Sequence, residues 1–295
     1  THSPVPPVEF ALPKPTDAFS ADDSFAYLDA ICRLGPRLTG SQEMARQQEV
    51  LVAHFEALGA KVERQSFTAT QPSRPRREFP CVNLIVRWRP EIAKRVMIGC
   101  HYDTRPNADM EPPLSPRRGR FLGANDGASG VALLMELGKR MPKLELAVGV
   151  DFVFFDAEEY ILDQTLDQFF IGSEQFVKEL VREGKKYAAA VVIDMIADKD
   201  LTIHPDQASF TQCGSLVKEV FDVAAAEGVR EFNPRPKWEV RDDHEPFLKA
   251  GMNACVLIDF DYPHWHRLSD LPKNCSGESM AKVAKVLVAW LKQCR

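Results

Sequence analysis

Two adjacent carboxylates, Glu158 and Glu159, follow closely on an apolar run that is typical of a buried strand. Residues 151–159 have the sequence Asp-Phe-Val-Phe-Phe-Asp-Ala-Glu-Glu. Neighbouring acids in a buried site seldom both stay charged unless a positive group separates their roles. A bound metal ion does so, because one carboxylate can bind the ion while the other remains a general acid and base. A lone Glu-Glu pair would otherwise be a solvated helix start.

Similar side chains stand at four further positions where a predicted strand ends or a predicted helix begins. These are His101 with Asp103, Asp126, Asp194 and His266. Taken singly they have ordinary explanations, because His-x-Asp is commonly a hydrogen-bonded pair and an acid before a helix is commonly a cap. In an α/β sheet, however, the carboxyl ends of the strands meet in one crevice. The set therefore predicts one shared cleft, and imidazole with carboxylate suits zinc with an open coordination position.

The composition is that of an ordinary globular chain and argues against several functions. Of 295 residues, 45% are hydrophobic and 27% are charged, which is enough material for a large core. The net charge is −5 and the basic residues are scattered, so we expect no nucleic-acid partner. No apolar run reaches the roughly 20 residues that span a bilayer, so we expect no membrane span. The seven cysteines are spread singly without a CxxC pair, which gives a zinc ribbon little support.

The order of elements predicts one α/β domain behind a short arm. Residues 1–17 contain five prolines and are predicted to be an extended arm, with a single domain over residues 18–295. Apolar runs alternate with amphipathic segments, so we predict three α/β/α layers with a central mixed, mostly parallel sheet. The site is expected at the carboxyl edge of that sheet. Predicted strands include 61–69, 81–88, 96–100, 188–193 and 254–258, with an exposed loop over 71–77 and helices over 212–227 and 277–293.

Several expectations concern the histidines and the start of the chain. His54 and His204 are predicted to be surface or loop residues, and His264 is the alternative to His266 as a ligand because both flank Trp265.

The chain begins at Thr1 without a methionine, so either a targeting segment was removed or the sequence was shortened. We expect a secreted, periplasmic or otherwise extracytoplasmic location.

These motifs, in this order, resemble those of the M28 metallopeptidase superfamily. The resemblance covers nearly the whole chain from about residue 22, and the segment Gly35-Pro-Arg-x-x-Gly-Ser41 is similar to the family's N-terminal loop. It implies a zinc aminopeptidase-like, or phosphorylase/hydrolase-like, fold. The superfamily contains dizinc aminopeptidases and also glutaminyl-peptide cyclotransferases that work with one zinc. The motifs that carry the resemblance are His101-x-Asp103, Gly123-Ala-Asn-Asp126, Glu158-Glu159, Asp194 and His266.

Three features favour the cyclotransferase branch. Asp242-Asp-His-x-Pro-Phe247 is similar to the motif of animal glutaminyl cyclases, where aminopeptidases more usually carry Ser-Asp-His. Trp265-His266 resembles the Trp-His pair of the cyclases. The eleven residues 160–170 between Glu159 and the Gly-Ser helix start resemble a cyclase loop that peptidases usually lack. Two features depart from the animal pattern: Gln164 stands near the place of the pocket tryptophan, and Cys100 lacks its cysteine partner.

The resemblance implies a role for each motif residue. Asp126, Glu159 and His266 would hold one zinc ion. Glu158 would be the proton shuttle, with Asp194 and Asp242 as hydrogen-bonded acids beside it. The implied reaction converts the N-terminal glutamine of a peptide or protein to pyroglutamate with release of ammonia, and we expect a monomer that binds such N-termini.

Two alternatives stay open at this point. In a dizinc aminopeptidase, Asp126 would bridge two ions, His101 and Asp194 would complete the second site, and Glu158 would activate water. Because the cyclases also carry His101 and Asp194, the set of ligands alone does not separate the two activities. The third possibility is an inactive binding domain on the same fold, against which the intact Glu158 argues.

Overall fold

Six strands form a single sheet in the computed structural model, which describes residues 10–112 and 120–295. The strand order across the sheet is β1-β2-β4-β3-β5-β6. Pairs β4–β3, β3–β5 and β5–β6 are parallel, whereas β1–β2 and β2–β4 are antiparallel. The predicted mixed, mostly parallel sheet is therefore confirmed. The strands are β1 (Lys61–Gln71), β2 (Arg74–Trp88), β3 (Arg95–His101), β4 (Gly149–Phe155), β5 (Ala189–Asp194) and β6 (Ala254–Ile258).

Helices cover both faces of the sheet. The alternating side chains of β4 show this arrangement, since Phe152 and Phe154 lie 6.1 and 5.6 Å from the ring of Phe55 on one face. On the other face, Phe155 lies 5.7 Å from Phe176. The predicted three layers are thus confirmed. The helices are α1 (Ala21–Leu34), α2 (Gln42–Ala57), α3 (Ala128–Gly138), α4 (Ile171–Arg182), α5 (Gln207–Gln212), α6 (Gly214–Ala226), α7 (Glu245–Lys249) and α8 (Gly277–Gln293), with short 3₁₀ turns at Met141–Lys143 and Pro272–Asn274.

Two local predictions were wrong, and one short helix was not predicted. The exposed loop predicted over 71–77 is mostly strand, because β2 pairs with β4 only from Leu84 onward and its earlier prolines lie where β4 needs no donor. The helix predicted over 212–227 is confirmed as α6, and the short helix α5 before it was not predicted. His54 is buried, since it lies three residues after Leu51 on the apolar side of α2, and its Nε2 is 2.9 Å from the carbonyl oxygen of Met135.

The N-terminal arm is described only in part, because residues 1–9 lie outside the described residues. Residues 10–17 contain neither helix nor strand, yet Phe10 packs against the core and the Thr16 amide donates to the Lys139 carbonyl at 2.8 Å. The boundary of the arm at residue 17 stays a prediction. Within residues 10–112 and 120–295, helices long and apolar enough to cross a membrane are absent.

Gly172, at the start of α4, packs directly against the backbone at the end of β4. A Cβ atom there would lie 2.3 Å from the carbonyl oxygen of Asp156, and backbone cannot move away as a flexible side chain can. We predict that Gly172→Ala lowers the free energy of unfolding by about 1–3 kcal/mol, measured by urea denaturation. Gly214→Ala, where an added Cβ meets nothing within 4 Å, is the control and should be neutral or slightly stabilising. Equal stability of both variants would contradict this account of the α4–β4 contact.

Candidate metal centre

The polar residues singled out in the sequence meet at the carboxyl edge of the sheet. Strands β3 and β5 end at His101 and Asp194, and β4 ends just before the Glu158-Glu159 pair. Asp126 lies just before α3, and His266 lies on the loop that follows β6. Parallel pairing of β4, β3 and β5 brings these ends to the same side. The structure therefore brings these residues together at the expected edge of the sheet.

Three of these residues, Asp126, Glu159 and His266, form a buried set in which one ligand-type atom from each lies within 4.8 Å of the others. His266 Nε2 is 2.8 Å from Glu159 Oε1 and 3.6 Å from Asp126 Oδ2. Two buried oxygens of this set, Asp126 Oδ2 and Glu159 Oε2, have no hydrogen-bond partner. Buried acceptors without a partner are costly, so the donor set fits a cation that would bind both.

A second set shares Asp126 with the first. His101 Nε2 is 3.2 Å from Asp126 Oδ1 and 3.2 Å from Asp194 Oδ1. Asp126 thus directs one oxygen to His101 and the other toward His266, which is the arrangement of a bridging carboxylate. In this second set, the two carboxylate oxygens nearest to the imidazole, Asp126 Oδ1 and Asp194 Oδ1, already contact His101 Nε2.

Glu158 stands beside both sets with 12% of its side chain exposed, and its Oε2 is 3.9 Å from His101 Nδ1. Burial raises the pKa of Glu158 well above its ordinary value, opposed by positive His101 and supported by the charge of Glu159. A raised pKa makes a carboxyl group a stronger base than an ordinary glutamate, which suits it to accept a proton and return it. His101, Glu158 and Glu159 form a further possible donor group, because one ligand-type atom from each lies within 4.8 Å of the others.

The shared burial of several acids shifts their proton affinities. Burial and the charge of Glu159 raise the pKa of Asp126 to about 7, and burial and the charge of Asp194 raise the pKa of Asp242 to about 7. For Glu159, burial is opposed by the positive charges of His266 and Arg105, which hold its pKa well below the ordinary value. The cluster therefore carries more acid groups than its own cations neutralise, which favours a bound cation.

Two buried aspartates hold the loops that carry the ligands. Asp103 accepts the backbone N–H groups of Glu158 and Glu159, each at 3.1 Å, and so joins the end of β3 to the loop after β4. Its distance to His101 Nδ1 is 3.6 Å, so its main partners are these amides rather than the imidazole. Asp270 accepts the N–H groups of Asn125 and Asp126 at 2.9 and 3.2 Å, which joins the loop before α3 to the loop after β6.

Arg37, in the Gly-Pro-Arg segment of the N-terminal loop, connects that loop to the segment before Asp126. Its side chain is fully buried and donates to the carbonyl oxygens of Leu122 and Gly123 at 2.6 and 3.1 Å. The N-terminal loop thereby supports the segment that leads to Asp126.

Backbone strain is concentrated next to the candidate ligands. Ala157 has φ 56°, Met195 has φ 46° and His266 has φ 53°, a region that residues other than glycine seldom adopt. Each is at or beside a residue of the cluster. Strain of this kind persists where the surrounding contacts fix it and is common at functional sites.

Sequence reasoning missed four residues that act around the cluster. Asp156 holds the turn after β4 by accepting from Thr39 Oγ1 and the Val82 amide, each at 2.8 Å. Asp270, Arg105 and Asp109 were not singled out, although Arg105 and Asp109 closely follow the His101-x-Asp103 motif.

His264, the alternative ligand, has its Nδ1 2.9 Å from Ser269 Oγ and belongs to neither set.

Comparison with known proteins agrees with this geometry. The family model of peptidase family M28 matches residues 83–291, most of the chain. The chain belongs to peptidase family M28. This chain is similar to the solved structure of Fimbriiglobus ruber glutaminyl cyclase, with 38% sequence identity and a TM-score of 0.92, and the match covers 100% of both chains. The glutaminyl-peptide cyclotransferase-like protein of Mus musculus is 25% identical over 87% of this chain and 72% of its own length.

The likeness extends to a structure with a peptidase name. A Zn-dependent exopeptidase from Parabacteroides distasonis has 25% identity, a TM-score of 0.88, and covers 96% of this chain and 100% of its own. The predicted superfamily and the likeness to glutaminyl cyclases are confirmed, while fold alone does not choose between the two activities.

If zinc binds among Asp126, Glu159 and His266, the two buried histidines should differ in their effect on it. We predict that His266→Gln lowers the bound zinc of the purified chain at least tenfold, because it removes a ligand, whereas His101→Gln retains about one zinc per chain. Elemental analysis after dialysis measures both. Loss of zinc in His101→Gln but not in His266→Gln would mean that the second set, and not the first, holds the ion.

Proposed function

We propose that this chain is a zinc-dependent glutaminyl-peptide cyclotransferase. The observation that carries the proposal is the buried set of Asp126, Glu159 and His266, with two partnerless oxygens and Glu158 at its side. That arrangement offers three protein ligands, an open position and a separate carboxyl group. The full-length likeness to a structure that is named a glutaminyl cyclase supports the choice of reaction.

In the proposed reaction, the α-amine of an N-terminal glutamine attacks the carbon of its own γ-carboxamide. A zinc ion held by Asp126, Glu159 and His266 would polarise the carboxamide carbonyl as a Lewis acid. Glu158 accepts the proton that the attacking nitrogen loses and donates one to the departing nitrogen. The bond to the amide nitrogen breaks, ammonia leaves, and the new bond closes the pyroglutamyl ring.

Two acidic neighbours keep Glu158 fit for this task. Asp242 and Asp243 both contribute charges that raise the pKa of Glu158, in addition to its burial. Asp194, at the end of β5, in turn raises the pKa of Asp242. We assign Asp194 and Asp242 as the hydrogen-bonded acids beside Glu158, as the resemblance to the cyclases implies.

The length of the loop over residues 160–170, which resembles that of the cyclases, favours the cyclase assignment over the peptidase one. It runs from Glu159 to α4 and is fastened to the β1–β2 turn, where Gln71 Nε2 donates to the carbonyl oxygens of Tyr160 and Gln168 at 2.8 and 2.9 Å. Asp167 also accepts from the Ser73 amide at 2.9 Å. A loop held at both ends beside the cluster can form one wall of a pocket for a small substrate end.

An aminopeptidase that uses two zinc ions is the second candidate, favoured by one observation. His101, Asp126 and Asp194 form a second buried donor group next to the first. We place it second because the oxygens without partners belong to the first set, and because identity to the named exopeptidase is lower, at 25%.

We propose peptide and protein N-termini as substrates, one zinc ion per chain, a monomer and an extracytoplasmic location. We also propose that residues 18–295 form the catalytic unit and that the preceding residues are an arm. Gel filtration with light scattering would test the monomer.

The test of the function is a paired assay on one purified sample whose zinc is counted. We predict that a glutaminyl peptide releases ammonia while leucyl peptides release no free amino acid, with about one zinc per chain. Glu158→Gln should retain that zinc and lower turnover by a factor on the order of 100 or more, because a positioned acid and base contributes about that much.

Each contrary outcome has a definite meaning. Amino-acid release with two zinc ions would make the chain an aminopeptidase. Loss of zinc in Glu158→Gln would make Glu158 a ligand and would require new roles for the cluster.

A further inference from the structure

An ion pair that the sequence analysis did not single out lies against the candidate ligands. Arg105 and Asp109 follow β3, and Arg105 Nε is 2.8 Å from Asp109 Oδ2. Their side chains are only 5% and 15% exposed, so this pair is shielded from water, unlike an ordinary surface ion pair. Exposed pairs contribute little, whereas buried and geometrically fixed pairs can hold other groups in place.

Each member of the pair contacts a different candidate ligand. Arg105 Nη1 donates to Glu159 Oε1 at 2.9 Å, and Asp109 Oδ1 is 2.9 Å from His266 Nδ1. The same Oδ2 atom of Asp109 also accepts from Gln164 Nε2. One ion pair thus connects the ligand after β4, the ligand after β6 and the loop over residues 160–170.

The loop that carries the pair is itself fastened to the loop that carries His266. The Met110 amide donates to the His266 carbonyl oxygen at 3.2 Å, and Glu111 Oε1 accepts the Leu268 amide at 2.6 Å. These contacts hold His266 in its left-handed backbone conformation, φ 53°. The side-chain and backbone contacts therefore act on the same residue.

The chemistry of these contacts suits a metal site. A carboxylate at Nδ1 of a histidine fixes the tautomer in which Nε2 carries the lone pair and makes that nitrogen a better ligand. A guanidinium at Oε1 of Glu159 leaves Oε2, the oxygen that has no partner, as the atom free to bind a cation.

We propose that Arg105 and Asp109 are positioning residues that align Glu159 and His266 for zinc. This inference rests on the proposed zinc site and adds to it two residues that bind neither zinc nor substrate. Because the pair acts as a unit, removing either member should disturb both ligands.

The test measures zinc affinity rather than turnover. Zinc is titrated into the metal-free full chain in competition with a coloured chelator. We expect Asp109→Asn and Arg105→Gln each to weaken zinc binding by about 10–100-fold, as loss of a group that orients a ligand typically does. The double variant should lose no more than about the larger single loss.

The matched control is Asp29→Asn in α1. Asp29 pairs with Arg33 through the same Nε–carboxylate contact at the same i,i+4 spacing, 3.2 Å long, but on an exposed helix face. It should leave zinc affinity unchanged within about twofold. Thermal melting of the metal-free chains separates a folding defect from a positioning defect. Because asparagine is close in shape to aspartate, we expect Asp109→Asn to melt at nearly the same temperature as the parent.

The outcomes separate this inference from the proposed function. If the parent binds zinc tightly and Asp109→Asn and Arg105→Gln bind it equally tightly, the positioning role is overturned while the zinc site stands. If the two single losses simply add in the double variant, the pair does not act as a unit and the proposal fails in that form. A parent chain that binds no zinc overturns both proposals.

Discussion

Like charges that are buried together repel one another, and this constraint governs the carboxyl edge of the sheet. Two unit charges about 4 Å apart repel by about 4 kcal/mol at an effective dielectric constant near 20. Asp126, Glu158 and Asp242 are buried in one cluster, and the pKa of each is raised, that of Asp126 and Asp242 to about 7. A cation that enters this cluster relieves the repulsion among the carboxylates, whereas protonation of some of them relieves it only in part. The site is therefore built to bind positive charge.

The rest of the structure holds this unfavourable cluster in place. Strong local contacts are needed because the acids would otherwise separate, and three buried aspartates with Arg105 provide them. Asp103 and Asp270 accept backbone amides from the loops that carry the ligands, and Asp156 holds the turn after β4. The hydrophobic sheet, packed on both faces, supplies the rigid base. Stability gained in the core thus supports strain and charge at the edge, as is common at functional sites.

The sequence predicted the layers and the candidate ligands because both have strong local signals. Apolar runs indicated the strands, and acids or histidines at their ends marked the edge where Glu159 and His266 meet Asp126. Residues that act through distant contacts were missed: Asp270 and Asp109 are ordinary loop acids until the fold brings them to Asp126 and His266. The burial of His54 was missed as well, although its spacing from Leu51 was a usable signal. Local patterns show which residues can do chemistry, whereas tertiary contacts decide which residues position them.

The central claim is that one zinc ion binds among Asp126, Glu159 and His266. Diffraction data collected at the zinc absorption edge from crystals of the full chain test it most directly. We predict one anomalous peak about 2.0–2.2 Å from a ligand atom of each of these three residues. A second peak of similar height between His101 and Asp194 would contradict the one-zinc account in favour of a dizinc site. A peak elsewhere, with none at this set, would contradict the account altogether.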